Sequence, residues 1–250
     1  MNAHPEIAVW HSRLAVILLV VLLAWETARP FFPFFVGGRG KWLERGRHGV
    51  INLAIGIFNA VVTGFVFSGI WLAATSWTAD HHFGILRWIV LPVWTQWMAA
   101  LLMLDAWTYF WHRINHVVPF FWRFHKLHHV DRAMDVTTAS RFHAMEIIFS
   151  SILRIPVLVL IGCGIEQLAL YELLLFAVVQ FHHANVAVPE WLDRSLRLVI
   201  VTPYLHKVHH SVAVTERDSN YSSLFSWWDR LFRTLRIHRD PRRIVFGVDP

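Results

Sequence analysis

Histidine is the residue type with chemistry to offer in this chain. His112 and His116 stand four apart, and His125, His128 and His129 occupy relative positions zero, three and four. Residues three and four apart share a helix face, so two helical segments can aim five imidazoles at one volume. The H-x-x-H-H spacing returns at His206, His209 and His210, and His143 and the His182–His183 pair lie between. These clusters take eleven of the 17 histidines; His4, His11, His48, His81, His82 and His238 are scattered. Neutral imidazole suits zinc, copper, iron and nickel. A structural zinc takes four ligands, so this many histidines imply two metal ions. Spacing alone does not separate two zincs from two irons, although a hydrolytic zinc site usually adds carboxylate ligands.

The elements that must position these rings are apolar. Of 250 residues, 56% are hydrophobic and 16% charged, against about a quarter charged in soluble domains. With a net charge of +6, nucleic-acid binding is the plain alternative, but the apolar runs make membrane topology the better account of the basic residues. The single cysteine, Cys163, excludes an internal disulfide and any Cys-ligated cluster or structural zinc.

Apolar spans are expected at about 7–25, 50–74, 87–111, 144–161 and 166–181. The first is bracketed by Trp10 and Trp25 and lacks the small-residue cleavage site of a signal peptide. Residues 26–49 read as a loop broken by Gly37, Gly38 and Gly40. The last two spans form a hairpin through Gly162-Cys163-Gly164, each near the lower limit for crossing ~30 Å of hydrocarbon. Loops 26–49, 112–143 and 184–250 carry five, five and ten Lys or Arg, whereas the turns at 75–86 and 162–165 carry none. By the positive-inside rule the N-terminus lies outside and every histidine box faces the cytoplasm. The expected fold is all-α: a single 1–250 multi-span membrane bundle with a cytoplasmic helical cap, 112–143 and 182–250, carrying the di-metal site. The expected location is a bacterial-type inner membrane.

The third span sets Asp105, Tyr109, His112 and His116 at steps of four, three and four, one helical stripe. A carboxylate and a phenol in line with two histidines suggest groups that hold the imidazoles for a metal. Glu146 lies three residues beyond His143, and Asn185 two beyond His183. Each histidine cluster falls at the cytoplasmic end of a span or just after it, so all reach one layer. Within the hairpin, Arg154 lies eleven residues after His143 and Glu172 eleven before His183. Antiparallel helices bring the two level, about 16 Å below that layer, and an ion pair bordering the substrate cavity is expected.

Taken together, the motifs resemble the fatty acid hydroxylase / sterol desaturase superfamily of integral-membrane di-iron enzymes. Asp105…Tyr109-Phe-Trp-His112-Arg113…His116 is similar to that family's first box and its lead-in helix. Trp122-Arg-Phe-His125-Lys-Leu-His128-His129 is similar to the second, and Arg141-Phe-His143-x-x-Glu146 to the segment after it. Phe181-His182-His183-Ala-Asn185 resembles the intermediate motif. Thr202-Pro203…His206-x-x-His209-His210-Ser211, with Asn220-Tyr221 and Trp228-Asp229-Arg-Leu-Phe232, resembles the last box and its tail. The resemblance covers about 85–235; Arg233, where many relatives have glycine, departs from it.

The resemblance implies two iron ions, O2 as co-substrate, and hydroxylation or desaturation of an apolar lipid entering from the bilayer. It implies metal ligation by His112, His116, His125, His128, His129, His206, His209 and His210, with His183, His143 and His182 as further ligand candidates. Adjacent histidines cannot point the same way on a helix. Asp105, Tyr109, Glu146 and Asn185 become the supporting residues. No dinucleotide fingerprint, haem motif or iron–sulfur motif is present, so electrons must come from a separate protein. The basic surface around 194–243 suits an acidic donor or anionic membrane lipids equally. Two other readings are a histidine-rich metal transporter or sensor and a zinc-dependent membrane hydrolase. Transport favours polar groups threading several spans, and neither H-E-x-x-H nor G-x-S-x-G occurs.

Overall fold

The computed structural model describes residues 4–249, and the side chains of residues 13–249. Among the described residues the secondary structure is helical, with three isolated β-bridges and no strand. Helix α1 (His4–Ala28) leads to α2 (Arg39–Val62), which continues through a π-turn at Thr63–Phe67 into α3 (Ser68–Asp80). A short α4 (Ile85–Trp88) precedes α5 (Val93–Val117) and α6 (Pro119–His129). Helices α7 (Ala144–Ile161) and α8 (Ile165–His183) are joined by the expected turn, but α7 packs chiefly on α3 and α8 on α1 and α5 rather than on each other. The remainder carries only short helices: α9 (Glu190–Leu196), α10 (Pro203–His209), α11 (Val214–Arg217) and α12 (Trp227–Leu231).

Local chemistry sets these boundaries. Pro119 opens α6, where a missing N–H is no loss. The His143 side chain caps α7 by accepting from the Met145 amide at 3.1 Å, and Glu146 sits in the first turn, favourable against the helix dipole. Gly162 ends α7 in the left-handed region, φ 72°.

Three helical stretches are long and apolar enough to cross a membrane: Arg39–Trp88, Ala144–Ile161 and Ile165–His183. The expected span 7–25 lies within α1; the Trp10 side chain falls outside the described residues. Val90, Phe65 and Leu160 are 100%, 89% and 57% exposed, an outward apolar belt of the kind a bilayer covers. Helix α5 carries polar residues inward instead, with Asp105 and Tyr109 fully buried. It begins at Val93 rather than 87, because Pro92 stands at its N-cap. The 26–49 segment is also more ordered than expected, with α2 starting at Arg39. Its glycines cost about 1 kcal/mol each in a helix, but tertiary contacts outweigh them: Asn52 donates to Thr137 Oγ1 at 3.0 Å, and His48 meets Asp131 at 2.9 Å.

The bundle has two different ends. At one, the 81–88 turn meets the α7–α8 turn so closely that a Cβ on Gly84 would lie 2.5 Å from Gly162 Cα. Arg87 Nε donates to the Gly162 carbonyl at 2.9 Å. Phe67, Trp71, Leu101, Leu104, Leu158 and Leu168 form the apolar core. At the other end, one helix length away, the buried side chains are imidazoles.

Candidate metal centre

Four chain segments converge there. Helix α5 supplies His112 and His116, α6 supplies His125, His128 and His129, the end of α8 supplies His183, and α10 with its C-cap supplies His206, His209 and His210. They sort into two groups by space rather than by motif. His112, His116, His125, His129 and His209 form one; His128, His183, His206 and His210 form the other. Within each group one ring nitrogen from every histidine lies within 4.8 Å of the others. The groups abut: the His129 and His210 rings are 4.4 Å apart, and the adjacent His128 and His129 belong one to each.

Five of the nine rings are anchored through Nδ1 to a backbone carbonyl or a carboxylate. His112 Nδ1 donates to the Tyr221 carbonyl at 2.7 Å, His128 Nδ1 to Arg141 at 3.2 Å, His183 Nδ1 to Val179 at 2.8 Å and His209 Nδ1 to Ser219 at 2.8 Å. His125 Nδ1 donates to Glu146 Oε1 at 2.7 Å. A carbonyl or carboxylate can only accept, so these bonds fix the Nδ1–H tautomer and turn the Nε2 lone pair inward.

That arrangement tests the fit for a metal. His128 and His183 both donate from Nδ1, yet their Nε2 atoms lie 2.9 Å apart. Lone pairs facing one another are favourable only around a shared cation. His116 Nε2 and His209 Nε2, buried without a protein partner, support the same reading, whereas His129, His206 and His210 leave Nδ1 unpartnered instead. The donor set fits two metal ions with all-imidazole coordination. Burial first, then the neighbouring imidazoles, lowers the titration of His128, His129, His206 and His210 well below the usual range, and burial takes His209 to about 3. The rings are therefore neutral, the form a metal requires.

The other expected site residues occupy different positions. Glu146 is beside the centre, bonded to His125 and 3.5 Å from Asn115 Nδ2. His143 is turned away as a helix cap. His182 joins neither group; its ring stacks on His206 at 3.8 Å, because adjacent positions on α8 point about 100° apart. Asn185 brackets the Phe32 backbone, accepting from its N–H at 2.9 Å and donating to its carbonyl at 2.8 Å. Asp105 faces the C-terminal tail, accepting from Trp228 Nε1 at 2.7 Å, Phe225 N at 3.0 Å and Tyr171 Oη at 3.3 Å. Tyr109 stacks on Phe232 and bonds Thr234 Oγ1 at 2.9 Å. Asp105 and Tyr109 thus hold the tail whose carbonyls at Ser219 and Tyr221 orient His209 and His112.

Some supporting residues carried no sequence signal. His48 was merely scattered, yet it bridges Asp131 and Asp135 at 2.9 and 3.4 Å and so ties α2 to the segment following His129. Burial opposes ionisation of Asp131, but its bonds from His48 and Thr138 hold it at about 2. Lys207 lies inside the last box but points away from it. It is fully buried and donates to the Ala184 carbonyl at 2.8 Å. Burial pulls its ammonium down to about 7, against Glu26 and Asp193.

A cavity of about 600 Å³ opens beneath the rings, lined by His112, His125, His128, His183 and His206 at one end and mostly by apolar side chains. Arg154 and Glu172 border it as an ion pair, Nη1 to Oε1 2.6 Å, as their equal register anticipated.

Residues 97–234 match the sequence model of the family described as fatty acid hydroxylase. An ornithine lipid hydroxylase of Rhizobium tropici is 25% identical over 234 residues, 93% of this chain and 68% of that protein. A cholesterol 25-hydroxylase-like protein of Danio rerio is 30% identical over 187 residues, 73% of this chain and 70% of that one. Human alkylglycerol monooxygenase is 29% identical over 156 residues, 62% of this chain but only 33% of its own length. No solved structure matches.

Proposed function

The chain belongs to the fatty acid hydroxylase family, and on that premise we propose that it is a membrane-bound oxidoreductase that hydroxylates a lipid with O2, two iron ions and electrons from a separate protein. The observation that carries this reading is the pairing of two buried histidine groups, five and four rings, with an apolar cavity at their base. His112, His116, His125, His129 and His209 would hold one ion, and His128, His183, His206 and His210 the other. A redox-active metal pair supplies activation of O2 for attack on an unactivated C–H bond.

The chain's own residues do the rest. Glu146 and the carbonyls of Arg141, Val179, Ser219 and Tyr221 keep five of the ligating rings, those of His125, His128, His183, His209 and His112, in one tautomer and one orientation. The apolar wall admits a lipid and excludes water from the reacting carbon. Relatives named as hydroxylases and monooxygenases favour hydroxylation over desaturation. The count of basic residues supports a cytoplasmic histidine layer in a bacterial-type inner membrane, with the surface around 194–243 available to an acidic electron donor.

Elemental analysis of protein purified in detergent, combined with an oxygen electrode and mass spectrometry of added membrane lipid, tests the reading. Two irons per chain, and reductant-dependent O2 uptake matched by addition of one oxygen atom to a lipid, are expected. Stoichiometric zinc without oxygen chemistry would sink it.

A further inference from the structure

The metal-holding histidines leave the ion pair in the cavity wall unexplained. Arg154 and Glu172 face each other from α7 and α8, with side-chain exposures of 12% and 36%. Glu172 lies eleven residues from His183 and eight from Gly164, which sets the pair near mid-span, about 16 Å from the ligand layer along α8. Charges at that depth are rare and are paired, functional or both. Packing alone does not call for this one. A partly exposed ion pair contributes little to stability, and the flanking positions of both helices are already apolar. Trp71 supports the guanidinium, 4.9 Å from its ring, so the arginine is held in position at the cavity rather than reaching for a surface.

Resting on the lipid-hydroxylase reading, we infer that Arg154 and Glu172 form a polar anchor in the substrate cavity. It selects a lipid with a neutral hydroxyl about 16 Å from the carbon attacked. The chemistry of the pair chooses that group. The guanidinium retains N–H donors beyond the one bonded to Glu172, and the carboxylate retains a second oxygen as acceptor. A hydroxyl both donates and accepts, and so matches the pair with no change in net charge. A phosphate or carboxylate would meet Glu172, and an ammonium would meet Arg154; either like-charge contact in an apolar wall is heavily unfavourable. A pure hydrocarbon would leave both partners beside methylene groups. The hydroxyl can belong to a polycyclic sterol-like alcohol or to a long-chain alcohol; both offer the same group at lipid length.

The test is a binding measurement, separate from turnover. Purified protein carrying its metals is equilibrated with cholesterol against 5α-cholestane, and with octadecan-1-ol against octadecane, and the retained lipid is quantified by mass spectrometry. In at least one pair the alcohol is retained about tenfold over its alkane, a 1.4 kcal/mol difference. The pair that responds identifies polycyclic or linear lipid. In Arg154→Leu/Glu172→Leu the ratio falls to about one while metal content persists. Should that variant not fold, Glu172→Gln decides, with the ratio expected to fall severalfold. No preference in the wild-type protein, or a preference that survives substitution of the pair, overturns the anchor. Protein that oxidises lipids but treats alcohol and alkane alike loses only the anchor. Protein that retains alcohols selectively but consumes no oxygen loses only the hydroxylase reading.

Discussion

Replacing Glu146 by leucine removes the acceptor that holds one ligating ring, and the two-group geometry makes the consequence selective. His125 Nδ1 donates to Glu146 Oε1 at 2.7 Å, with side-chain exposures of 2% and 6%. A hydrogen bond to a charged group contributes about 1.5–3 kcal/mol, and leaving the donor buried without a partner costs about 1–3 kcal/mol. In a ligand, that energy is what keeps Nε2 aimed at the metal. With each 1.4 kcal/mol worth tenfold, Glu146→Leu weakens one metal equivalent by about 10- to 100-fold, the range typical of lost supporting partners. Glu146→Gln keeps an acceptor oxygen and loses only the charge, so about tenfold is expected. His125 belongs to the five-histidine group alone, and the second equivalent, held by rings anchored on the Arg141 and Val179 carbonyls, should keep its affinity. Anaerobic Fe(II) or Co(II) titration against a competing chelator resolves the two steps. Two unchanged steps would refute the supporting role of Glu146. Two equally weakened steps would refute the assignment of His125 to one group, provided the thermal midpoint has not moved.

Three further outcomes follow from the packing. Metal-depleted protein should lose stability as pH falls below about 6.5, the ordinary imidazole value. His209 is held down to about 3 and its neighbours are lowered too, so the unfolded chain takes up protons there before the folded one does; a denaturation midpoint unchanged between pH 8 and 5 would contradict this. Asp105→Ala strands the Trp228 and Phe225 N–H donors, and should destabilise by about 2–4 kcal/mol while accelerating amide exchange in residues 219–228. Gly84→Ala forces a Cβ to 2.5 Å from Gly162 Cα at φ 112° and should cost at least the 1–3 kcal/mol typical of overpacking, seen as a lower thermal midpoint; Gly69→Ala, inside α3 with nothing within 4 Å, should not lower it.

Helical periodicity made the two-box pattern and the extents of α7 and α8 legible, because both depend only on spacing along one element. The Arg154–Glu172 pair was legible for the same reason: equal distances from the two histidine ends fix a register without any knowledge of packing. Periodicity failed where the partner is backbone or lies on a distant element. The carbonyls of Tyr221 and Ser219 have no side-chain signature. His48, isolated in sequence, acquires its role only when α2 is packed beside Asp131. Lys207 sits between the histidines of the last box in sequence, yet the helix turns it to the opposite face, where it ties α10 to the end of α8. The same rotation separates His182 from His183. Composition misread the 26–49 segment, since glycine content reports backbone propensity and not the contacts that override it.

Spacing also grouped the histidines by box, whereas the fold regroups them across boxes. His128 and His129 are neighbours in one motif but serve different groups, and His209 and His210 divide in the same way. Adjacent helical residues diverge by about 100°, so an H-H pair at the end of a box reaches two sites at once. Two such pairs, on α6 and at the end of α10, therefore cross-link the two groups. Helix α5 contributes to one group only, through His112 and His116, and α8 to the other, through His183. Displacing α6 or α10 would disturb both groups, while displacing α5 or α8 would disturb one. The terminal H-H of each H-x-x-H-H box is thus what couples the two histidine groups into one cluster, and the unmatched single spacing of the first box is what leaves α5 free to carry Asp105 and Tyr109 toward the tail.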